Sequence, residues 1–138
     1  MTPAAVLKQI KDEDVKYVDV RFTDMRGKMQ HVTFDIDLVD DEFLTDGTMF
    51  DGSSIAGWKA INESDMKLRP DLKTVYIDPF YEQKTMFIFC DVVSPDTDEL
   101  YNRDPRSIAK KALTYVAQLD IGDTVYFGPE AEFFVFDD

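Results

Sequence analysis

Glu130 and Glu132 are the residues of this 138-residue sequence whose types and spacing most directly suit metal chemistry. Side chains two residues apart on a β-strand point to the same face, with Cα atoms about 6.6 Å apart. Paired carboxylates at this spacing can serve two neighbouring divalent cations. On spacing alone, it is simpler to interpret the two glutamates as the solvent-exposed face of an edge strand, because Glu-x-Glu is a common pattern.

Asp51 is a second candidate, because the dipeptide Asp51-Gly52 predicts a turn that would place the carboxylate at a loop tip. Large apolar side chains lie nearby in the sequence: Phe50, Ile55, Trp58 and Ile61. A loop with this much apolar surface is expected to pack on something. The local sequence leaves open whether that is the domain's own core or a partner.

A third acidic pattern, Asp35-Ile36-Asp37, follows a strand-like run, as do the paired aspartates of aspartyl phosphotransferases. In those enzymes the first aspartate is the nucleophile and the second an acid or base. Here the preceding run alternates and suits a hairpin better than a buried parallel strand, so helix capping is the favoured role. Gly27-Lys28 lacks the rest of a phosphate loop, and no Gly-x-Gly-x-x-Gly occurs.

The net charge of −13, from 28 acidic and 15 basic residues, argues against a nucleic-acid or anionic-membrane partner, since either would need a basic surface. No apolar run approaches the roughly 20 residues of a membrane span, and the first residues do not suggest a signal peptide.

The single cysteine, Cys90, lies in an apolar run and is expected to be buried, which favours a reducing cytoplasm. His31, the only histidine, is expected on a strand surface and not at a metal.

Periodicity predicts an α+β fold for the first hundred residues. Thr2 and Pro3 are typical of a helix start. The other predicted elements are a hairpin of strands Lys16–Phe22 and Lys28–Phe34, one short helix within Asp35–Gly47, and strands Thr48–Phe50, Thr74–Ile77 and Thr85–Val92. The last strand is almost entirely apolar and should be central in its sheet. One sheet packed on a helix, in a β-grasp or ubiquitin-like arrangement, is the most economical topology.

A polar stretch from Ser94 to Asp104 marks the predicted boundary between a domain of residues 1–103 and the beginning of another at 104–138. Asp104 and Pro105 then predict a helix start. Its apolar stripe consists of Ile108, Ala112, Val116 and Leu119, and it is followed by predicted strands Thr124–Phe127 and Glu130–Phe136. One helix and two strands are too few for an independent core, so we expect the sequence to be the amino-terminal piece of a longer polypeptide.

Two sequence blocks carry a family resemblance. The first is FDGSSIAGWKAINESDM at 50–66, and the second is DPRSIAKKAL leading to FGPEAEFFVFDD at 104–138. Together they closely resemble the amino-terminal part of bacterial type I glutamine synthetase. KYVDVRFTDMRGKMQHVT and IDPFYEQKT extend the match over essentially the whole chain. Ala131 departs from the proline that many members carry between the two glutamates.

The resemblance implies a β-grasp domain followed by the beginning of a catalytic domain. It also implies an ATP-dependent ligase that joins ammonia to glutamate through γ-glutamyl phosphate. By position, Glu130 would help bind the metal on the nucleotide side, and Glu132 the metal nearer glutamate. Asp51 would reach into a neighbouring subunit's active site to bind and deprotonate ammonium, with Ser54 near the same site, while Ile55 and Trp58 would help position the loop at a subunit interface.

The implied cofactors are Mg²⁺ or Mn²⁺, two per site in the full enzyme, with ATP as a substrate. The implied assembly is a homo-oligomer, a dodecamer of two hexameric rings, in the cytoplasm. Most nucleotide contacts of the family would lie beyond Asp138, so the 138-residue chain alone is expected to be inactive.

Two alternatives remain open at the level of sequence. One is a non-catalytic β-grasp interaction module whose exposed Ile55 and Trp58 bind a partner. The other is a γ-glutamyl ligase that uses an amine in place of ammonia, although the intact Asp51 favours ammonia.

Overall fold

The computed structural model describes residues 1–58 and 64–137, and all that follows concerns those ranges. They contain three α-helices, two short 3-10 turns and one five-stranded sheet. In chain order these are α1 Pro3–Asp12, β1 Tyr17–Thr23, β2 Met29–Asp35, a 3-10 turn Ile36–Leu38, α2 Asp41–Thr45, β3 Thr48–Asp51, a 3-10 turn Gly52–Ser54, β4 Asp65–Asp78, β5 Thr85–Val93 and α3 Pro105–Gln118. The predicted α+β class is confirmed.

The sheet has the order β2-β1-β5-β4-β3, with β5 in the centre as the sequence predicted. β1 and β5 run parallel, with Val20 opposite Ile88, and the other neighbouring pairs are antiparallel. β4 begins well before the predicted Thr74–Ile77 because it continues through Pro70, which lies opposite Cys90 at the edge of a register shift. A proline inside a strand is tolerated where the ladder is irregular, as it is here. Because a proline usually marks the end of a strand, the sequence pattern predicted only the part of β4 that follows Pro70.

One face of the sheet forms the core. Alternate residues of the central strands point to this face, where α1 adds Val6 and Ile10. The strand residues that are almost completely buried are Val18, Val20, Met66, Leu68, Met86, Ile88, Cys90 and Val92. Cys90 is buried as predicted, and burial raises the pKa of its thiol well above the ordinary value.

The one short helix predicted within Asp35–Gly47 is present as α2, but it covers only Asp41–Thr45, because the chain forms two separate elements there. Asp35 caps the 3-10 turn by accepting a hydrogen bond from the Asp37 amide at 3.0 Å. Asp40 has an extended backbone and caps α2 by accepting from the Phe43 amide at 2.8 Å. An extended residue between the two turns interrupts helical hydrogen bonding, so each aspartate begins a new element.

α3 begins as predicted, with Pro105 in its first turn and Asp104 as its cap. The predicted apolar stripe is largely exposed, since Ile108 and Leu119 each keep about half of their surface. Neither α3 nor any other helix in the described ranges is long and apolar enough to cross a membrane.

The two strands predicted at Thr124–Phe127 and Glu130–Phe136 are not formed in the described residues. The segment has no regular secondary structure or ladder pairing, and its large side chains are exposed, Phe134 among them. A strand needs a neighbour to satisfy its backbone groups, and two short strands without a covered face have little independent stability. The apolar pattern is present, but in the described residues the segment pairs with neither edge strand of the sheet, β2 or β3.

Candidate functional site

Asp51 lies at the end of β3 and caps the following 3-10 turn, with its side chain exposed. Its Oδ1 accepts hydrogen bonds from the Ser53 amide at 2.9 Å and the Ser53 hydroxyl at 2.6 Å. Gly52 is required at this turn because a Cβ there would meet Met66 Cγ at 2.5 Å and the Ser64 carbonyl oxygen at 3.0 Å. The turn therefore holds the Asp51 carboxylate close against the chain while leaving it accessible to solvent.

The hydrogen bond from the Ser53 hydroxyl, and then the one from the Ser53 amide, lower the pKa of the Asp51 carboxyl from its ordinary value. The hydroxyls of Ser54 and Ser64 act in the same direction. Hydrogen bonds to the charged form favour that form, so Asp51 is an anion at neutral pH. An exposed anion with a fixed orientation can bind a small cation or accept its proton.

Asp51 and Ser54 border the same surface hollow, which has a volume of about 270 Å³. Its remaining lining consists of Phe22, Gln30, His31, Val32, Phe50 and Ile55. The structure thus brings together the two residues that the resemblance assigned to one site. The hollow has apolar walls and a few polar groups, a combination common in small-ligand sites.

Ile55 and Trp58 are buried in the chain's own core, with 8% and 4% of their surfaces exposed. Trp58 packs on Phe22 and Phe50 at centroid distances of 5.5 and 6.3 Å. The alternative in which Ile55 and Trp58 are exposed for a partner is therefore wrong. The side chains of Ile55 and Trp58 therefore anchor the loop to the core of its own chain. Ile61, the fourth apolar residue of the predicted loop, lies outside the described residues.

The segment between β5 and α3 contacts the same loop, which the sequence analysis did not anticipate. The Tyr101 hydroxyl donates to the Trp58 carbonyl at 2.9 Å, and burial raises the pKa of that phenol. Arg103 Nη1 donates to the Gly57 carbonyl at 2.6 Å and to the Trp58 carbonyl at 3.2 Å. The sequence showed only a polar connection there, because nothing local links these residues to position 58.

Glu130 and Glu132 lie in the exposed segment without secondary structure. Their oxygen donors suit Mg²⁺ or Mn²⁺. Two carboxylates are nevertheless too few for a site, and no cluster of three or more His, Cys, Asp or Glu side chains in the described residues could hold a metal ion. The donor chemistry fits a divalent metal, while a complete site requires further ligands.

The sheet face opposite the core carries a second polar cluster, around Asp19. This carboxylate is buried and accepts hydrogen bonds from Arg21 Nε at 2.6 Å and from the Thr33 hydroxyl at 2.8 Å. His31 Nδ1 lies 2.8 Å from its Oδ1, and Arg21 also pairs with Asp78 at 2.6 Å. His31 is half-exposed on the strand surface as predicted, and its observed partner is a carboxylate.

Asp104 caps the start of α3 and also joins this helix to the sheet. The carboxylate is fully buried, and its Oδ2 accepts hydrogen bonds from the Ser107 hydroxyl at 2.8 Å and from the Val92 amide at 3.4 Å. In the same turn, Arg106 pairs with Asp71 on β4 and with Asp91 on β5. The start of α3 is therefore fixed to the two neighbouring strands.

Two family models match the chain. Residues 14–95 match the glutamine synthetase β-grasp domain, which confirms the predicted β-grasp fold, and residues 102–138 match the glutamine synthetase catalytic domain.

Curated proteins and a solved structure that are named glutamine synthetase are similar to this chain. Glutamine synthetase of Bradyrhizobium diazoefficiens is 66% identical over 137 residues, which are 99% of this chain and 29% of that protein. Glutamine synthetase of Escherichia coli K12 is 55% identical over 138 residues, which are 100% of this chain and 29% of that protein. The electron cryomicroscopy structure of Plasmodium falciparum glutamine synthetase superposes with a TM-score of 0.75 at 25% identity, covering 86% of this chain and 23% of that one. The chain thus spans less than a third of the length of these relatives.

Proposed function

The chain belongs to the glutamine synthetase family, and we propose that it supplies the β-grasp domain and the beginning of the catalytic domain of a glutamate–ammonia ligase. The reaction would join ammonia to glutamate at the expense of ATP through γ-glutamyl phosphate. We place the domain boundary between residues 103 and 104. The whole protein would act in the cytoplasm, and the 138-residue chain alone would have no synthetase activity.

The observation that carries the proposal is the Asp51 turn. An ammonium ion needs hydrogen-bond acceptors that remain charged, and it must lose a proton before its nitrogen can attack an acyl phosphate. The Asp51 carboxylate is exposed, is oriented by two hydrogen bonds from Ser53, and has a lowered pKa. Because it stays charged, the Asp51 carboxylate would hold the ammonium ion, with Ser54 as a polar neighbour in the same hollow. Its position beside the ion would then allow it to accept the ammonium proton.

Glu130 and Glu132 would each donate carboxylate oxygens to divalent metals, Glu130 on the nucleotide side and Glu132 nearer glutamate. Mg²⁺ or Mn²⁺ bound there would neutralise phosphate charge during transfer. The two glutamates would be held on one face when their segment pairs as a strand in the complete enzyme. The remaining metal ligands and most nucleotide contacts would come from outside these 138 residues.

We further propose that Asp51 completes the site of a neighbouring subunit within a homo-oligomer, expected to be a dodecamer of two hexameric rings. Ile55 and Trp58 would contribute at that interface indirectly. Both are buried in their own chain, so they would hold the loop in place against its core. The exposed tip would then carry Asp51 across the boundary between subunits.

The test uses a full-length chimera in which this chain replaces the matching 137 residues of the Bradyrhizobium relative. The chimera should form glutamine from glutamate, ATP and ammonium, and an inactive chimera would contradict the proposal. Asp51→Asn should lower kcat/KM for ammonium by roughly 10²- to 10⁴-fold, the usual range for removing an acid–base group, with assembly unchanged in analytical ultracentrifugation.

Asp46→Asn is the matched control, because Asp46 is an exposed aspartate just before β3, the strand that ends at Asp51, and its carboxylate accepts no side-chain hydrogen bond within the described residues. It should keep the activity of the parent chimera. If Asp51→Asn changed assembly alone, the loop would be an interaction element. If the chimera preferred an amine while the unmodified relative preferred ammonium, this chain would carry the specificity of an amine ligase.

A further inference from the structure

We propose that Tyr101 and Arg103 are positioning residues for the Asp51 loop, so that the connection between β5 and α3 sets where the Asp51 carboxylate lies. The inference rests on the proposed function of Asp51 and extends it to two residues of the polar stretch between β5 and α3. Neither residue is placed at the reacting atoms, and both act through the loop.

The first step of the argument is the contact itself. Arg103 and Tyr101 donate three hydrogen bonds, between 2.6 and 3.2 Å, to the consecutive carbonyls of Gly57 and Trp58. A guanidinium donor forms stronger hydrogen bonds than a neutral group. Gly57 has a φ of +84°, so this part of the loop has a backbone conformation that other residues rarely adopt. The contacts therefore select one path for the loop backbone.

The second step is the route from Trp58 to Asp51. The Trp58 ring packs on Tyr101 at a centroid distance of 5.4 Å and on Phe50, which immediately precedes Asp51. The backbone between them is closed by two short turns, in which the Trp58 amide donates to the Ile55 carbonyl and the Ile55 amide donates to the Gly52 carbonyl, both at 3.2 Å. A displacement of Trp58 would therefore be transmitted to both sides of the Asp51 turn.

The third step is the rigidity of the connection. The Tyr101 amide donates to the Val92 carbonyl at 2.8 Å, and the Asp104 amide donates to the Tyr101 carbonyl at 3.2 Å. Asp104 is buried at the start of α3, and Arg106 ties that turn to β4 and β5. Tyr101 and Arg103 thus extend from a segment that is fixed at both ends. A fixed support suits a catalytic group, because small errors in placement cost large factors in rate.

Trp58 offers a direct readout of loop placement, since it is the only tryptophan in the sequence and is 4% exposed. In the 138-residue chain, Arg103→Gln and Tyr101→Phe should each shift its emission to longer wavelength and raise its acrylamide quenching constant by roughly twofold or more, with unchanged far-ultraviolet circular dichroism. Arg26→Gln is the control, since Arg26 is exposed and its side chain has no ion pair within the described ranges. Quenching equal to the parent's in both variants would overturn the proposal.

Kinetics of the full-length chimera separate this inference from the function on which it rests. Arg103→Gln should lower kcat/KM for ammonium by roughly 10- to 100-fold, the scale expected of a misplacement of about 1 Å, while KM for ATP stays within about twofold. Arg103→Lys should recover part of the loss because it keeps one charged donor. In an Asp51→Asn background, Arg103→Gln should have almost no further effect.

The possible failures are distinguishable. If Asp51→Asn has no effect, the proposed function of Asp51 is wrong. If Asp51→Asn has its full effect but the two losses multiply in the double variant, Arg103 does not act through Asp51 and only the positioning inference is wrong. If Arg103→Gln prevents folding, Tyr101→Phe provides the same comparison, because it keeps the ring and removes only the hydroxyl donor.

Discussion

β5 and the segment 130–136 are both rich in apolar residues but have different structures. β5, TMFIFCDVV, is the centre of the sheet and most of its side chains are buried, whereas EAEFFVF is exposed and pairs with no strand in the described part of the chain. Both are rich in aromatic and β-branched residues, which favour strands. The difference teaches that apolar content makes a strand possible, while pairing with at least one neighbouring strand makes it form.

Amide hydrogen exchange should show the largest contrast between these two regions. We expect protection factors above about 10³ for the central amides of β5, which open only with global unfolding, and values near one for 124–136. In the full-length chimera, 130–136 should gain strong protection if its strand forms once it has a partner. Equal protection of the two regions in the 138-residue chain would contradict the comparison.

Truncation of a side chain should give the next largest difference. Ile88→Ala removes a fully buried side chain from the middle of β5 and should cost about 3 to 4 kcal/mol of unfolding free energy. Val135→Ala changes a side chain that is 84% exposed and should stay within about 0.5 kcal/mol. Urea denaturation followed by circular dichroism measures both. A comparable loss at Val135 would show that the segment contributes to the core.

The two ends of α3 provide a smaller version of the same contrast. Asp104→Ala should cost about 2 kcal/mol, because it removes the helix cap and leaves the buried Ser107 hydroxyl without its carboxylate acceptor. Asp123→Ala, just beyond the helix in the exposed segment, should cost under about 0.5 kcal/mol. Thermal unfolding of the two variants measures both losses of stability. Equal losses at the two positions would contradict the prediction.

The smallest expected effect is a change in how the free energy of unfolding depends on pH, and it comes from Asp78 at the end of β4. The Phe80 amide, and then Arg21, lower the pKa of this carboxyl in the folded chain. The folded state therefore binds fewer protons than the unfolded state near the ordinary carboxyl pKa of about 3.9. The resulting stabilisation is fully present above that pH and is lost as pH falls through the folded value. Asp78→Asn should be less stable at neutral pH and lose less on acidification, measured by urea titration at pH 7 and pH 3.

Sequence reasoning succeeded where a local pattern decides the outcome. It predicted the β1–β2 hairpin, β5 as the central strand, and the caps Thr2 and Asp104, each of which depends on neighbouring residues in the chain. It predicted a loop for Asp51 but not whether Ile55 and Trp58 would face inward, because that depends on which strands surround them.

The errors have physical causes in the tertiary structure. The early half of β4 was missed because Pro70 interrupts the pattern, although the register shift accommodates it. The segment 130–136 was predicted as a strand because nothing in its own sequence reports whether a partner is present. The hydrogen bonds of Arg103 to the loop join residues more than forty positions apart, and no local signal anticipates them.

The parallel pairing of β1 with β5 has a consequence for how this chain folds as it is made. The β1–β2 and β3–β4 pairs join strands that are close in the sequence, so they can form early. The middle of the sheet must wait until Val93 has left the ribosome, because β5 is the strand that joins the two halves. Until then the apolar faces of both strand pairs remain uncovered, and exposed apolar surface of this kind favours aggregation.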